Sequence, residues 1–233
     1  MEIEARQLTV QFGARTVLTD ITFGVRAGEV YGIVGAPSAG KTTLVNVFAG
    51  FVRPTKGQAL VHQRDVTNSA AGGRPYATFI SQDSGLDPAL TALQNVELFG
   101  ASAGVDRRTD TRIIKVAMRR AGIPERAFDK VVRDLDRTIE VLLLISIAFL
   151  RESSAVIADD PAAGLDPKGA RDVQECLKEL QRDGKALLIT ATDPAFIQPL
   201  ANRVSALRDG ILVTDGEEPP RPVLRTATQP LLS

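Results

Sequence analysis

The chain has 233 residues, with 28 Lys+Arg balanced by 28 Asp+Glu. Zero formal charge gives no general pull toward nucleic acid or an anionic membrane, and the length allows one large domain or two small lobes around a substantial core. One cysteine, Cys176, excludes an internal disulfide and a Cys-based zinc cluster, and one histidine, His62, excludes His-pair metal motifs and any mechanism needing two histidines.

In chain order, residues 1–34 read as strand-rich. Ile3–Phe12 and Val17–Val25 carry clustered or alternating apolar residues, and Gly13-Ala14-Arg15 and Arg26–Glu29 supply turns. Val30–Val34 reads as a buried strand, Gly35–Gly40 as a loop, and Thr42–Ala49 as a helix closed by Gly50. Gln58–His62 and Ala77–Ile80 read as strands, with His62 a surface strand residue. From Thr91 the texture becomes helical: Ile113, Ile114, Ala117, Met118 and Ala121 share a helical spacing that ends at Gly122-Ile123-Pro124. Val141–Leu150 is the longest apolar run, far short of the ~20 residues that span a bilayer, and is expected to be a buried helix. Ala155–Ala158 and Ala186–Thr190 read as buried strands around a helix whose apolar stripe is Val173, Cys176, Leu177 and Leu180. The arginines between 107 and 137 interleave with acids and read as a solvated face. Strands alternating with helices predict a parallel α/β sheet. The expected organisation is a first core part over 1–85, an inserted helical lobe over 86–150, a second core part over 151–213, and a poorly ordered Pro-containing tail over 214–233.

Gly35-Ala36-Pro37-Ser38-Ala39-Gly40-Lys41-Thr42 fits G-x-x-x-x-G-K-[ST] in full, between a predicted strand and a predicted helix. Its glycines allow backbone N–H groups to curl round phosphates, and the helix directs its positive end at the same anion. Lys41 would reach the outer phosphates and the Thr42 hydroxyl would hold Mg²⁺. The strand over 155–158 runs into Asp159-Asp160-Pro161. Asp159 is thereby placed to hold Mg²⁺ through water and Asp160 to lie near the γ-phosphate, although Asp-Asp-Pro alone reads equally well as a turn.

The phosphate loop, Gln82, Asp159-Asp160-Pro161 and Ala163-Gly164-Leu165-Asp166-Pro167 occur in the order and rough spacing of an ABC transporter nucleotide-binding subunit, which residues 3 to 213 resemble. The resemblance implies a P-loop NTPase: a RecA-like parallel-sheet core with an antiparallel β subdomain and an inserted helical subdomain. It implies ATP and Mg²⁺ as cofactors. It places the cofactor contacts at Phe12 (stacking on adenine), Gly35, Pro37, Ser38, Ala39, Gly40, Lys41, Thr42, Thr43, Gln82, Asp159 and Thr192. The metal contacts fall to Thr42, Gln82 and Asp159, and Asp166 belongs to a loop crossing a dimer interface.

Three positions depart from the family pattern. Where the family has a catalytic glutamate, this chain has Asp160, with roughly 1.5 Å less reach; a misplacement of about 1 Å can cost on the order of 100-fold in rate. Where the family has a histidine after the last core strand, this chain has Thr192. Where the family has Leu-Ser-Gly-Gly-Gln, this chain has Leu135-Asp136-Arg137-Thr138-Ile139, which turns a carboxylate toward the expected phosphate and reads better as a helix N-cap, by Asp136 or Thr138. The expected function is an ATP-binding subunit with weak or absent hydrolysis of its own. It would pair with transmembrane subunits and a second nucleotide-binding chain, a heterodimer in preference to a homodimer, at the cytoplasmic face of the membrane and without nucleic acid. Two alternatives stay open: an active transport ATPase with Asp160 as catalytic base, and a soluble ABC-type regulator. An unrelated P-loop GTPase is disfavoured by the lack of an Asn-Lys-x-Asp motif.

Overall fold

A computed structural model of the chain describes residues 1–68, 76–81, 85–102 and 111–214. β1 (Ile3–Phe12) and β2 (Arg15–Val25) form an antiparallel hairpin whose two-residue turn sets Phe12 opposite Arg15. β4 (Lys56–Val61) pairs with β1, and β5 (Arg64–Asp65) pairs with β4. The second sheet has the order β10-β9-β3-β8-β7-β6. Its members are β3 (Val30–Val34), β6 (Ala77–Ile80), β7 (Ala155–Asp159), β8 (Ala186–Ala191), β9 (Arg203–Arg208) and β10 (Ile211–Thr214). All neighbours are parallel except β9 and β10. The loops leaving β3, β7 and β8 therefore emerge at one edge, with β8 between the other two, the edge at which open parallel sheets bind ligands.

Burial on both faces explains why β3, β7 and β8 read as continuous apolar runs. Ile33, Ile157 and Leu188 join a core shared with the first sheet and α1 (Lys41–Ala49); Val156, Ala158, Leu187 and Ile189 join a core shared with the later helices. α2 (Ala92–Ser102), α3 (Thr111–Arg120) and α4 (Arg137–Leu150) lie between β6 and β7 in the chain. α4 buries Val141 through Ala148, as the apolar run predicts. α5 (Pro167–Arg182) buries Val173, Cys176, Leu177 and Leu180, and the short α6 (Pro194–Ile197) follows β8. Among the described residues no helix is long and apolar enough to cross a membrane.

Several expectations are corrected. His62 is not a surface strand residue: it sits in the β4–β5 turn at φ 50°, half-buried, its Nδ1 2.6 Å from Glu2 Oε2 and its Nε2 3.1 Å from the Tyr76 carbonyl. A bonded side chain facing inward from a turn has no periodic signature in sequence. Ile113 leaves its predicted stripe and is exposed, while Ile114, Ala117 and Met118 are buried. The arginine face is only partly solvated: Arg120 bonds Glu179 and Asp183 and lies over the Phe149 ring. Arg107, Arg108, Gln82 and the tail beyond residue 214 lie outside the described residues.

Candidate functional site

The loop between β3 and α1 turns on two residues in the left-handed region, Ser38 at φ 66° and Gly40 at φ 108°. At φ 108° Gly40 holds a backbone conformation that L side chains rarely adopt, and a Cβ there would also stand 2.8 Å from Leu18 Cδ2 and 3.1 Å from the Val17 carbonyl oxygen of the hairpin. Gly40 also occupies the N-cap of α1, where it offers no side-chain acceptor, and the first turn holds no acid. The backbone N–H groups of Gly40, Lys41, Thr42 and Thr43 consequently find no acceptor among the described residues. The other helices with comparable N-termini behave differently: Asp136 accepts from Ile139 N at 3.0 Å, Asp166 from Gly169 N at 2.6 Å, and Asp193 from Ala195 N at 2.9 Å. A buried Lys41 ammonium sits within the loop and donates to the Gly35 and Ala36 carbonyls at 2.6 and 3.0 Å. The local field is that of an anion cradle.

A cavity of about 480 Å³ lies against this loop. It is lined by Pro37, Ser38, Gly40, Lys41, Thr42, Thr43, Asp159, Asp160 and Thr192, and also by Arg15 and Val17 from the hairpin. Nine of the positions singled out from sequence thus meet on one cavity. Gly35 and Ala39 line a second cavity of about 620 Å³, which shares Arg15, Pro37, Ser38 and Thr192 with the first. Phe12 lines neither; it is 53% exposed at the end of β1, with its cross-strand neighbour Arg15 reaching both. Gln82 is outside the described residues.

The two carboxylates are fixed by threonines of β8. Asp159, buried at the end of β7, accepts a 2.6 Å hydrogen bond at Oδ1 from the Thr190 hydroxyl. Asp160 follows at φ 45°, a conformation aspartate tolerates better than most residues. Its N–H donates to the Thr190 carbonyl at 3.0 Å and to the Thr190 Oγ1 at 3.2 Å, and its Oδ2 accepts from the Thr192 hydroxyl at 2.5 Å. Sequence reading missed Thr190, Arg15 and Val17. Thr190 looks like one more residue of a buried strand, and only its register opposite Asp159 reveals its partner.

Asp136 is the N-cap of α4, one of the two candidates the sequence offers. Arg137 donates to Glu140 at 2.7 Å. The capped starts of α4 and α5 line one further cavity, about 550 Å³, where Asp136, Thr138, Asp166 and Gly169 meet.

A glycine-rich loop entering a helix at the edge of a parallel sheet, with acids at the end of a nearby strand, defines a P-loop NTPase fold, and the chain is similar to solved ATP-binding cassettes. An ATP-binding subunit of an ABC transporter superposes with TM-score 0.80 over 91% of this chain and 88% of that one, at 23% identity. The dimeric MJ0796, a bacterial ABC transporter cassette, superposes with TM-score 0.79 over 90% of this chain and 96% of that one, also at 23% identity. The ABC transporter family model matches residues 18–163, and the chain belongs to that family. Nod factor export ATP-binding protein I of Burkholderia lata is 28% identical over 214 residues, 92% of this chain and 70% of that protein. The macrolide export ATP-binding/permease protein MacB of Rhodopseudomonas palustris is 32% identical over 237 residues, 98% of this chain. This chain spans 36% of that MacB and between 62% and 71% of four Nod factor export relatives.

Proposed function

We propose that this chain is the ATP-binding subunit of an ABC transporter, holding MgATP on the cavity beside α1 and hydrolysing it weakly or not at all. The observation that carries the reading is the Gly40-capped N-terminus of α1, whose N–H groups have no acceptor among the described residues and whose residues Gly40 to Thr43, Lys41 among them, line that cavity, while three other helix starts carry aspartate caps. In this reading the backbone from Gly40 to Thr43 cradles the phosphates, and Lys41 redirects an ammonium N–H from a loop carbonyl to an outer phosphate oxygen. Phe12 receives the adenine face. Thr42 and Asp159 hold Mg²⁺, which neutralises charge on the outer phosphates. Among the described residues no group of three or more His, Cys, Asp or Glu could hold a metal unaided. A hydroxyl, a carboxylate, phosphate and water form the hard, partly aqueous set that Mg²⁺ prefers.

Two features support weak hydrolysis. Asp160 has the shorter of the two carboxylate side chains, and one of its oxygens is occupied by Thr192. The start of α4, where the family signature would receive a partner's phosphate, is filled by the Asp136 carboxylate. Pairing with a second nucleotide-binding chain of intact signature would complete the site, so a heterodimer on transmembrane subunits at the cytoplasmic face is the favoured assembly. The relatives named for Nod factor and macrolide export favour export as the direction.

A second reading, hydrolysis with Asp160 as base, draws on its position on the same cavity as Lys41 and Thr42. Equilibrium binding of MgATP to the wild-type chain and to Lys41→Ala tests the common part of both. Binding that falls by more than about tenfold in the variant supports the site; equal binding removes it.

A further inference from the structure

We infer that Thr190 is a positioning residue for the metal-facing carboxylate, holding Asp159 by Oδ1 so that its other oxygen is presented to Mg²⁺ arriving with the nucleotide. The inference rests on the nucleotide site proposed above and adds a residue to it. Thr190 is fully buried in β8, flanked by Ile189 and Ala191 and directly opposite Asp159 across the parallel pairing. A hydroxyl in that surrounding must be satisfied. Its single proton goes to Asp159 Oδ1 at 2.6 Å, and a lone pair receives the Asp160 N–H at 3.2 Å. One side chain thereby fixes the rotation of one carboxylate and the backbone of the next.

Asp159 lines the cavity with Thr42, and its second oxygen has no donor among the described residues. Valine at 190 would keep the shape and remove the proton. Asp159 could then turn about its own axis, and a ligand oriented for Mg²⁺ would become one orientation among several. A purely structural threonine would stabilise the strand without affecting how Mg²⁺ alters nucleotide binding.

The test is the affinity of the full chain for ATP with MgCl₂ and with chelator, measured for wild type, Thr190→Ser, Thr190→Val, Thr190→Ala and Lys41→Ala. The expected result is a Mg²⁺-dependent gain in affinity that is equal in wild type and Thr190→Ser and about tenfold smaller in Thr190→Val, the scale of one charge-assisted hydrogen bond. Affinity without Mg²⁺ should stay unchanged in the Thr190 variants, whereas Lys41→Ala should lose it. Thr190→Ala carries the same expectation should valine prevent folding. An undiminished gain in the variants lacking the hydroxyl, or a wild type indifferent to Mg²⁺, overturns the inference while Lys41→Ala still binds poorly. If Lys41→Ala binds as well as wild type, the nucleotide site itself falls and this inference falls with it.

Discussion

The Thr192 hydroxyl donates a 2.5 Å hydrogen bond to Oδ2 of Asp160, tying together the two positions that the proposed reading aligns with the family's glutamate and histidine. The bond occupies one of the two oxygens a base would use, and it draws the carboxylate toward β8. A glutamate at 160 would reach further into the cavity, and an imidazole at 192 would bring a longer arm. The double change Asp160→Glu with Thr192→His should therefore raise ATP turnover of the assembled transporter by at least about tenfold, with either single change giving less. Steady-state phosphate release measures it.

The Asp136 cap makes a separate prediction about stability. Its carboxylate accepts from Ile139 N at 3.0 Å at the start of a helix whose next two turns are buried. Asp136→Ala should destabilise the chain by about 1 kcal/mol, and Asp136→Ser should cost only a few tenths. Urea unfolding of the two variants gives the comparison, with an unchanged slope expected in both.

Cys176 should be inert in the folded protein. Burial, reinforced by the Glu179, Asp172 and Glu175 carboxylates, pushes its thiol up to about 12, and its Sγ–H donates to the Ala121 carbonyl at 3.3 Å. Because the thiolate is the reactive form, a thiol reagent at pH 8 should leave Cys176 unmodified until denaturant is added. Mass spectrometry of the labelled chain reads the outcome.

Acid should weaken the contact between the first strand and the start of β7. The Ser154 hydroxyl, 2.7 Å away, holds the Glu2 carboxyl below its ordinary 4.5; burial opposes this, and His62 adds to the lowering. A carboxyl lowered on folding contributes stability above its unfolded value and loses that contribution as pH falls through the folded value. The difference in melting temperature between wild type and Glu2→Gln should therefore be largest near neutral pH and should narrow as pH drops below 4.5. A gap that widens with acid would contradict this account of Glu2.

Much of this arrangement was legible in the sequence because it is local. Continuous apolar runs marked the buried strands β3, β7 and β8, the Gly40-Lys41-Thr42 segment marked the loop and helix start, and Asp136 or Thr138 marked a cap. What stayed hidden depends on register and on turns. Thr190 becomes a ligand-orienting residue only because β7 and β8 align Asp159 opposite it. Arg15 reaches the cavity only because a two-residue turn brings it across from Phe12. His62 turned inward because its backbone adopts φ 50° at a turn, which no spacing of apolar residues encodes.

In the proposed reading this chain binds MgATP without supplying the base that cleaves it. ATP turnover of the assembled transporter carrying Asp160→Asn in this chain, compared with Lys41→Ala in this chain and with the matching acid-to-amide change in the partner cassette, tests it most directly. Asp160→Asn is expected to keep turnover within about twofold of wild type, while the partner's change abolishes it. An Asp160→Asn complex as dead as the one altered in the partner would contradict the account and make Asp160 a working catalytic base.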